Sequence, residues 1–414
     1  MMRNRMISEL RIAADFDALA ALTDPGQPWT RRSFTPMFDR GRDWVSRAFA
    51  DAGLTVRTDA AGNMIGLRPG SDPAARGTIL LGSHTDTVPG GGRFDGIAGV
   101  IAALEITRAL DEAGVTLRHD LAVVDFLAEE VSGFGVSCIG SRGMAGIMPS
   151  EWLDRTWEGR SLREAITSVG GNPEALGGAL SEPLNGPLRA YLELHIEQGT
   201  RLERAGLDLG LVRAIAGITR IEITVKGRPD HAGTTPMDAR DDALVTAALL
   251  VGQLRAEGAR TRDGRHFTTT VGEFEISPGA ANVIPGHVRM LVDARAEARP
   301  DMEAFIAWTV DLAEATPGVA ARVISDNPPV PMDEGLLAAL TAAADAGGIS
   351  HMPLTSGAGH DAAYMARLGP AAMVFVPSKD GRSHCAEEWT EIEQIALGAE
   401  VIARAVIALD QQDA

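Results

Sequence analysis

GTILLGSHTDTV at residues 77–88, with IAGVIAALEITRALDEAG at 97–114, is the stretch that decides the fold. The first is a short apolar run that closes in polar residues, as a buried strand does when it reaches the edge of its sheet. The second carries apolar residues at helical spacing and a glycine at its end. LAVVDFLAEE at 121–130 repeats the plan of an apolar strand ending in charge. Strand alternating with helix predicts an α/β fold built on a mainly parallel, helix-covered sheet. Upstream, residues 8–22 and 38–53 have helical periodicity, and AGLTVRTDAAGNMIGLRPG at 52–70 reads as strand, turn and strand. Ligands of such sheets bind beyond the carboxyl ends of the strands, which is where His84, Asp86, Glu129 and Glu130 fall.

Near residue 212 the texture changes. ITRIEITVKG, TTTVGEFEISPG and HVRMLVDARA alternate apolar and polar residues like half-exposed antiparallel strands, and two helical stretches, DDALVTAALLVGQLRAEG and PDMEAFIAWTVDLAEAT, interleave with them. We therefore expect an inserted α+β domain over 212–326, with an antiparallel sheet and two helices. It would interrupt a catalytic domain formed by 1–211 and 327–414, and the Pro-rich SDNPPVPMD lies at the return. A chain of 414 residues also exceeds the size at which one core stops growing.

Acidic residues outnumber basic ones 56 to 38, a formal charge of -18 that repels phosphate backbones and anionic bilayers, so neither nucleic acid nor membrane is expected as a partner. Two cysteines, Cys138 and Cys385, exclude a disulfide framework and a cysteine-rich zinc module. The amino-terminal segment turns charged too soon for a secretory leader, and no apolar run is long enough to span a bilayer, which together read as a cytoplasmic protein.

Metal-dependent hydrolysis needs imidazoles and carboxylates that converge with a position left open for water. His84 and Asp86 stand two apart at a strand end, where the carboxylate could orient the imidazole, and Asp95 follows just before a helix. Adjacent Glu129 and Glu130 are costly side by side unless cations share them; on a strand they would face opposite sides, one as ligand and one as general base. His195 in YLELHIEQG and His384 in GRSHCAEEW complete a mixed nitrogen and oxygen set suited to zinc, manganese or cobalt. Taken singly each has an ordinary alternative: HxD pairs are common, polar residues often end strands, and a core histidine is usually satisfied by a carbonyl.

Seven ordered segments carry a resemblance: GSHTDTVPGGGRFDGIAGV, FLAEEVSGFG, LELHIEQG, GRPDHAGTTPMDARDDAL, GAANVIPG with VDAR, SGAGHDAAYMA and VPSKDGRSHCAEE. With them the chain resembles, nearly end to end, the hydantoinase/carbamoylase group of binuclear zinc amidohydrolases, within the superfamily that includes carboxypeptidase G and aminoacylase. That resemblance implies two divalent ions per subunit, zinc or else manganese, cobalt or nickel. Asp95 would bridge them, His84 and His195 would complete one site, Glu130 and His384 the other, and Glu129 would be the general base. It further implies a homodimer in which His231 reaches the partner's site to stabilise the oxyanion, and a substrate carboxylate held by Asn282 and Arg295, with Gln198, Gly357 and Gly359 as pocket neighbours. Read without the resemblance, His231 and Asn282 fit turn positions and Arg295 an exposed strand face. His360 and Asp361 read as scaffold of the pocket. Cys385 departs from the group, which has serine after the last histidine.

The activity this implies is hydrolysis of an N-carbamoyl-L-amino acid to the L-amino acid, carbon dioxide and ammonia. Allantoate amidohydrolase and β-ureidopropionase keep the chemistry and change the substrate. An aminoacylase or dipeptidase fits less well, because the wider superfamily has Asp or Glu where LELHIEQG has histidine. A non-catalytic binding protein would be expected to have lost a ligand or Glu129, and none is missing.

Overall fold

The computed structural model describes residues 5–176, 184, 186–260 and 262–411. Two capped helices open it. Ser8 accepts from Arg11 N at the start of α1 (Glu9–Ala20), and Thr35 accepts from Phe38 N ahead of α2 (Pro36–Asp51), where Pro36 occupies a position that needs no donor. The antiparallel pair β1 (Thr55–Thr58) and β2 (Met64–Arg68) follows, then β3 (Thr78–His84), α3 (Ile97–Glu112) and β4 (Asp120–Phe126).

The central sheet is ordered β1, β2, β4, β3, then the strands Leu188–Ile196, Ala371–Val376 and Leu209–Ile215. Its four middle strands are mutually parallel, and the strand next to them on each side, β2 and Leu209–Ile215, runs antiparallel to its neighbour. The expected mainly parallel sheet, with a separate antiparallel one, is what the chain forms. On one face Ile79, Leu81, Val123, Leu192, Leu194 and Val374 pack against α1, α3, Glu334–Gly347 and Ile392–Gln411. On the other, Leu80, Val124, Phe126, Tyr191 and Phe375 are equally buried. Strands covered on both faces need continuous apolar sequence, and each such side chain contributes about 1.5–3 kcal/mol on burial.

Because the middle strands are parallel and in register, their carboxyl ends share one edge. His84 pairs with Phe126, and His195 with Phe375. One expectation is corrected here. β4 ends at Phe126, and Ala128 turns at a φ of 52°, so Glu129 and Glu130 lie on a loop and no strand alternation separates them.

The chain divides into two units, one of residues 1–213, 332–354 and 360–414, the other of 214–331 with 355–359. The second has an antiparallel sheet ordered Phe267–Ser277, His287–Ala296, Gly217–Lys226, Val319–Asn327. Helices Ala243–Gly258 and Arg299–Ala315 cover one face through Leu250, Leu254, Met302 and Phe305. The other face is polar, with Glu222 between Arg289 at 2.7 Å and Arg322 at 2.9 Å.

Gly82 sets how closely β3 and β4 approach beneath the site. A Cβ there would lie 2.1 Å from the Val124 carbonyl oxygen, a backbone atom that cannot move without breaking the ladder. Gly82→Ala is therefore expected to lower stability by about 3 kcal/mol, read as a lower urea midpoint; an unchanged midpoint contradicts the packing described.

Candidate metal centre

The two buried histidines are oriented by their own backbone. His84 Nδ1 lies 3.0 Å from the Asp86 carbonyl oxygen, and His195 Nδ1 lies 3.0 Å from that of Ile196. A carbonyl can only accept, so Nδ1 of each ring carries a proton and Nε2 is turned into the pocket. Asp86 thus holds His84 mainly through its main chain. Its carboxylate, 3.5 Å from the ring, instead accepts the amides of Glu129 at 3.1 Å and Glu130 at 3.2 Å and fixes the turn that presents both glutamates.

Asp95 is the hub. One carboxylate oxygen is 3.2 Å from His195 Nε2, and the other is 2.9 Å from His384 Nε2. His384 Nε2 is also 3.3 Å from Glu130, and His84 Nε2 is 3.6 Å from Glu129. Donor atoms of His84, Asp95 and His195 converge within 4.8 Å, and so do those of Asp95, Glu130 and His384. Two ligands each about 2.1 Å from a tetrahedral zinc stand about 3.4 Å apart, so these separations fit donors that share a cation. Gly96, at a φ of 67°, lets the Asp95 loop close down: a Cβ there would sit 2.2 Å from His84 Nε2.

Electrostatics point the same way. Burial, with Asp361, Glu130 and Asp86 nearby, pushes the Glu129 carboxyl well above the usual carboxylate range. Hydrogen bonds to Asp95 and Glu130 pull His384 up to about 11. Burial lowers His84, yet Glu129, Asp86 and Asp95 outweigh it and raise the ring well above its ordinary value. A pocket this rich in buried carboxylate, with imidazole nitrogens between, suits divalent cations.

Glu388, Cys138 and Arg31 are neighbours of the site that the sequence did not mark, whereas Gln198 and His360 were expected at the pocket. Glu388 accepts from Phe94 N at 2.7 Å, Asp95 N at 3.0 Å and Ser383 Oγ at 2.7 Å. The Cys138 thiol lies 3.5 Å from the Glu129 carboxylate, while Cys385 is half-buried next to His384. Arg31, fully buried, donates to the carbonyls of Thr85, Leu19 and Leu22. Gln198 donates to Asp95 and to Ser383, both at 3.0 Å. His360 packs edge-on against His195 with ring centres 4.5 Å apart, and with Glu193 and His195 it forms a third group of converging donors.

The remaining candidates lie in the second unit. His231 Nδ1 accepts from Gly233 N at 3.1 Å, so a neutral ring carries its proton on Nε2 as a donor. Its segment pairs with that of Asn282, through His231 opposite Val283 and Ala232 N bonded to the Asn282 carbonyl at 3.0 Å. Arg295 is held by Asp293 at 2.9 Å and by the Gly357 carbonyl at 2.6 Å. Gly359 has open space where a Cβ would stand.

The sequence-family model described as peptidase family M20/M25/M40 matches residues 80–408. The chain is 38% identical over 408 residues to the N-carbamoyl-L-amino-acid amidohydrolase of Paenarthrobacter aurescens, covering 97% of this chain and 98% of that protein. It is 34% identical over 383 residues to the allantoate amidohydrolase of Bacillus subtilis strain 168, covering 90% of each. Among solved structures, a hydantoinase/carbamoylase family amidase from Burkholderia multivorans superposes with a TM-score of 0.87 at 33% identity, over 97% of this chain and 98% of that one.

Removing bound metal with a strong chelator should lower the thermal midpoint, because an ion at a thousand times its Kd adds about 4 kcal/mol to the folded state. Zinc added back should restore it; a midpoint indifferent to both treatments would argue against any bound ion.

Proposed function

The chain belongs to peptidase family M20/M25/M40, and on that footing we propose that it hydrolyses the carbamoyl C–N bond of an N-carbamoyl-L-amino acid, releasing the amino acid, carbon dioxide and ammonia. The observation that carries the reading is Asp95, whose two oxygens address His195 at 3.2 Å and His384 at 2.9 Å as a bridging carboxylate would. The relative from Paenarthrobacter aurescens bears the name of this activity at the higher identity of the two quoted, which ranks allantoate second.

His84, Asp95 and His195 would hold one divalent cation, and Asp95, Glu130 and His384 the other. Bound there, the pair would polarise the ureido carbonyl and acidify the attacking water. Glu129 accepts the proton of that water and delivers it to the departing nitrogen, so one carboxyl group serves both halves of the reaction. Asp86 keeps Glu129 and Glu130 on opposite duties by gripping both amides. Arg295 and Asn282 would receive the substrate carboxylate, the planar guanidinium being suited to a two-point contact. His231 would donate from Nε2 to the developing oxyanion, the tautomer its bond from Gly233 selects.

A homodimer formed through the second unit would cover part of its exposed apolar surface. Val245 and Leu249, 56% and 67% exposed, lie one turn apart on the helix Ala243–Gly258. Phe274 and Ile276 are exposed on the outermost strand beside it. Apolar surface clustered this way marks a protein–protein contact.

Glu129→Gln should retain bound metal and lose at least about a hundredfold in kcat; unchanged turnover would remove Glu129 as the base. A panel of N-carbamoyl-L-amino acids, allantoate and ureidopropionate, assayed for ammonia, decides the substrate, and turnover of allantoate alone would overturn our first choice. Mixing inactive Glu129→Gln with inactive His231→Ala chains should restore activity through heterodimers if His231 acts in the partner's site. Mixtures that exchange subunits and stay inactive would refute that arrangement.

A further inference from the structure

Glu388 is a carboxylate 2% exposed and placed beside another buried carboxylate, Asp95, an arrangement that costs free energy unless its geometry is used. One of its oxygens accepts the amides of Phe94 and Asp95, and the other accepts the hydroxyl of Ser383, the residue before His384. A single side chain thus ties the loop that carries Asp95 to the loop that carries His384. Gly92 is independent support for a built contact: a Cβ there would fall 1.9 Å from the Glu388 carboxyl carbon and 2.0 Å from each oxygen, so any side chain at this position would expel the carboxylate. Next to it, Trp389 packs edge-on against Phe94 with centres 5.3 Å apart, and the Arg93 guanidinium lies over both rings.

The two candidate cation sites differ in how much they need this tie. His84 and His195 end buried strands and are locked through Nδ1. His384 sits in a loop, half exposed, at a left-handed φ of 55°. Its loop meets Asp95 through Ser383, whose hydroxyl lies 3.2 Å from the Asp95 carboxylate and 2.7 Å from Glu388, and Glu388 adds to that contact a hold on the Asp95 main chain. Resting on the reading of Asp95 as a bridging ligand, we propose that Glu388 is a positioning residue that sets the spacing of Asp95 and His384 and thereby the affinity of the cation held by Asp95, Glu130 and His384, leaving the cation of His84, Asp95 and His195 nearly untouched.

Zinc affinity, measured on the full chain by competition with a chromophoric chelator, tests this without recourse to turnover, and melting of the metal-free variants reports whether they fold. Wild type should bind two ions. Glu388→Ala should keep one ion at wild-type affinity and bind the other about 10- to 100-fold more weakly. Gly92→Ala, which leaves Glu388 in the chain but displaces its carboxylate, should do the same. Glu388→Gln keeps the acceptor for both amides and should stay within about fivefold of wild type. Two ions bound by Glu388→Ala with wild-type affinity would overturn the proposal, as would equal weakening of both ions with no rescue by Glu388→Gln. A wild-type chain that binds one ion would defeat the two-cation reading itself, on a measurement that does not involve Glu388, and this proposal with it.

Discussion

Buried negative charge crowds the carboxyl edge of the parallel sheet, and the rest of the structure is arranged around it. Asp86, Asp95, Asp125, Glu130, Glu193 and Asp361 are all buried there or just beneath, with Glu129 beside them. A buried carboxylate is tolerated only when hydrogen bonds or cations answer it. Around the pocket, Glu193 is answered by Ser83 and Tyr191 and Asp86 by two amides, while Asp125, on Arg42 and Thr85, and Asp361, on Ser141, each keep one oxygen without a hydrogen bond. Those turned into the pocket, Asp95, Glu129 and Glu130, meet the Nε2 atoms of three histidines.

That arrangement depends on close backbone approach, which explains where glycine is required. Gly82 lets β3 and β4 draw together below the site, Gly96 lets the Asp95 loop lie against His84, and Gly92 admits the Glu388 carboxylate. The core contributes rigidity of a different kind. His84 and His195 project from strands buried on both faces, so their positions are inherited from the packing of the sheet.

Much of this was legible in the sequence, for physical reasons. His84, Glu129, Glu130, His195 and His384 each follow an apolar run or lie within one, and parallel strands send their carboxyl ends to one edge, so order along the chain implies proximity in space. Polar residues held by the tertiary fold left no such trace. Glu388 lies in a loop whose charge looks solvated, Arg31 sits in an unremarkable polar stretch, and Cys138 becomes a neighbour of Glu129 only because the chain turns left-handed at both Ala128 and Cys138. The separation of Glu129 from Glu130 was expected from strand alternation and comes from that turn with the grip of Asp86. Side-chain period is a reliable guide only where the strand persists.

Anomalous diffraction from zinc-loaded crystals tests the central claim, that Asp95 bridges two cations, most directly. Two peaks about 3.5–4 Å apart are expected, each about 2.0–2.2 Å from a different oxygen of Asp95, one touching His84 and His195 and the other Glu130 and His384. A single peak, or two peaks of which one makes no contact with Asp95, would contradict it.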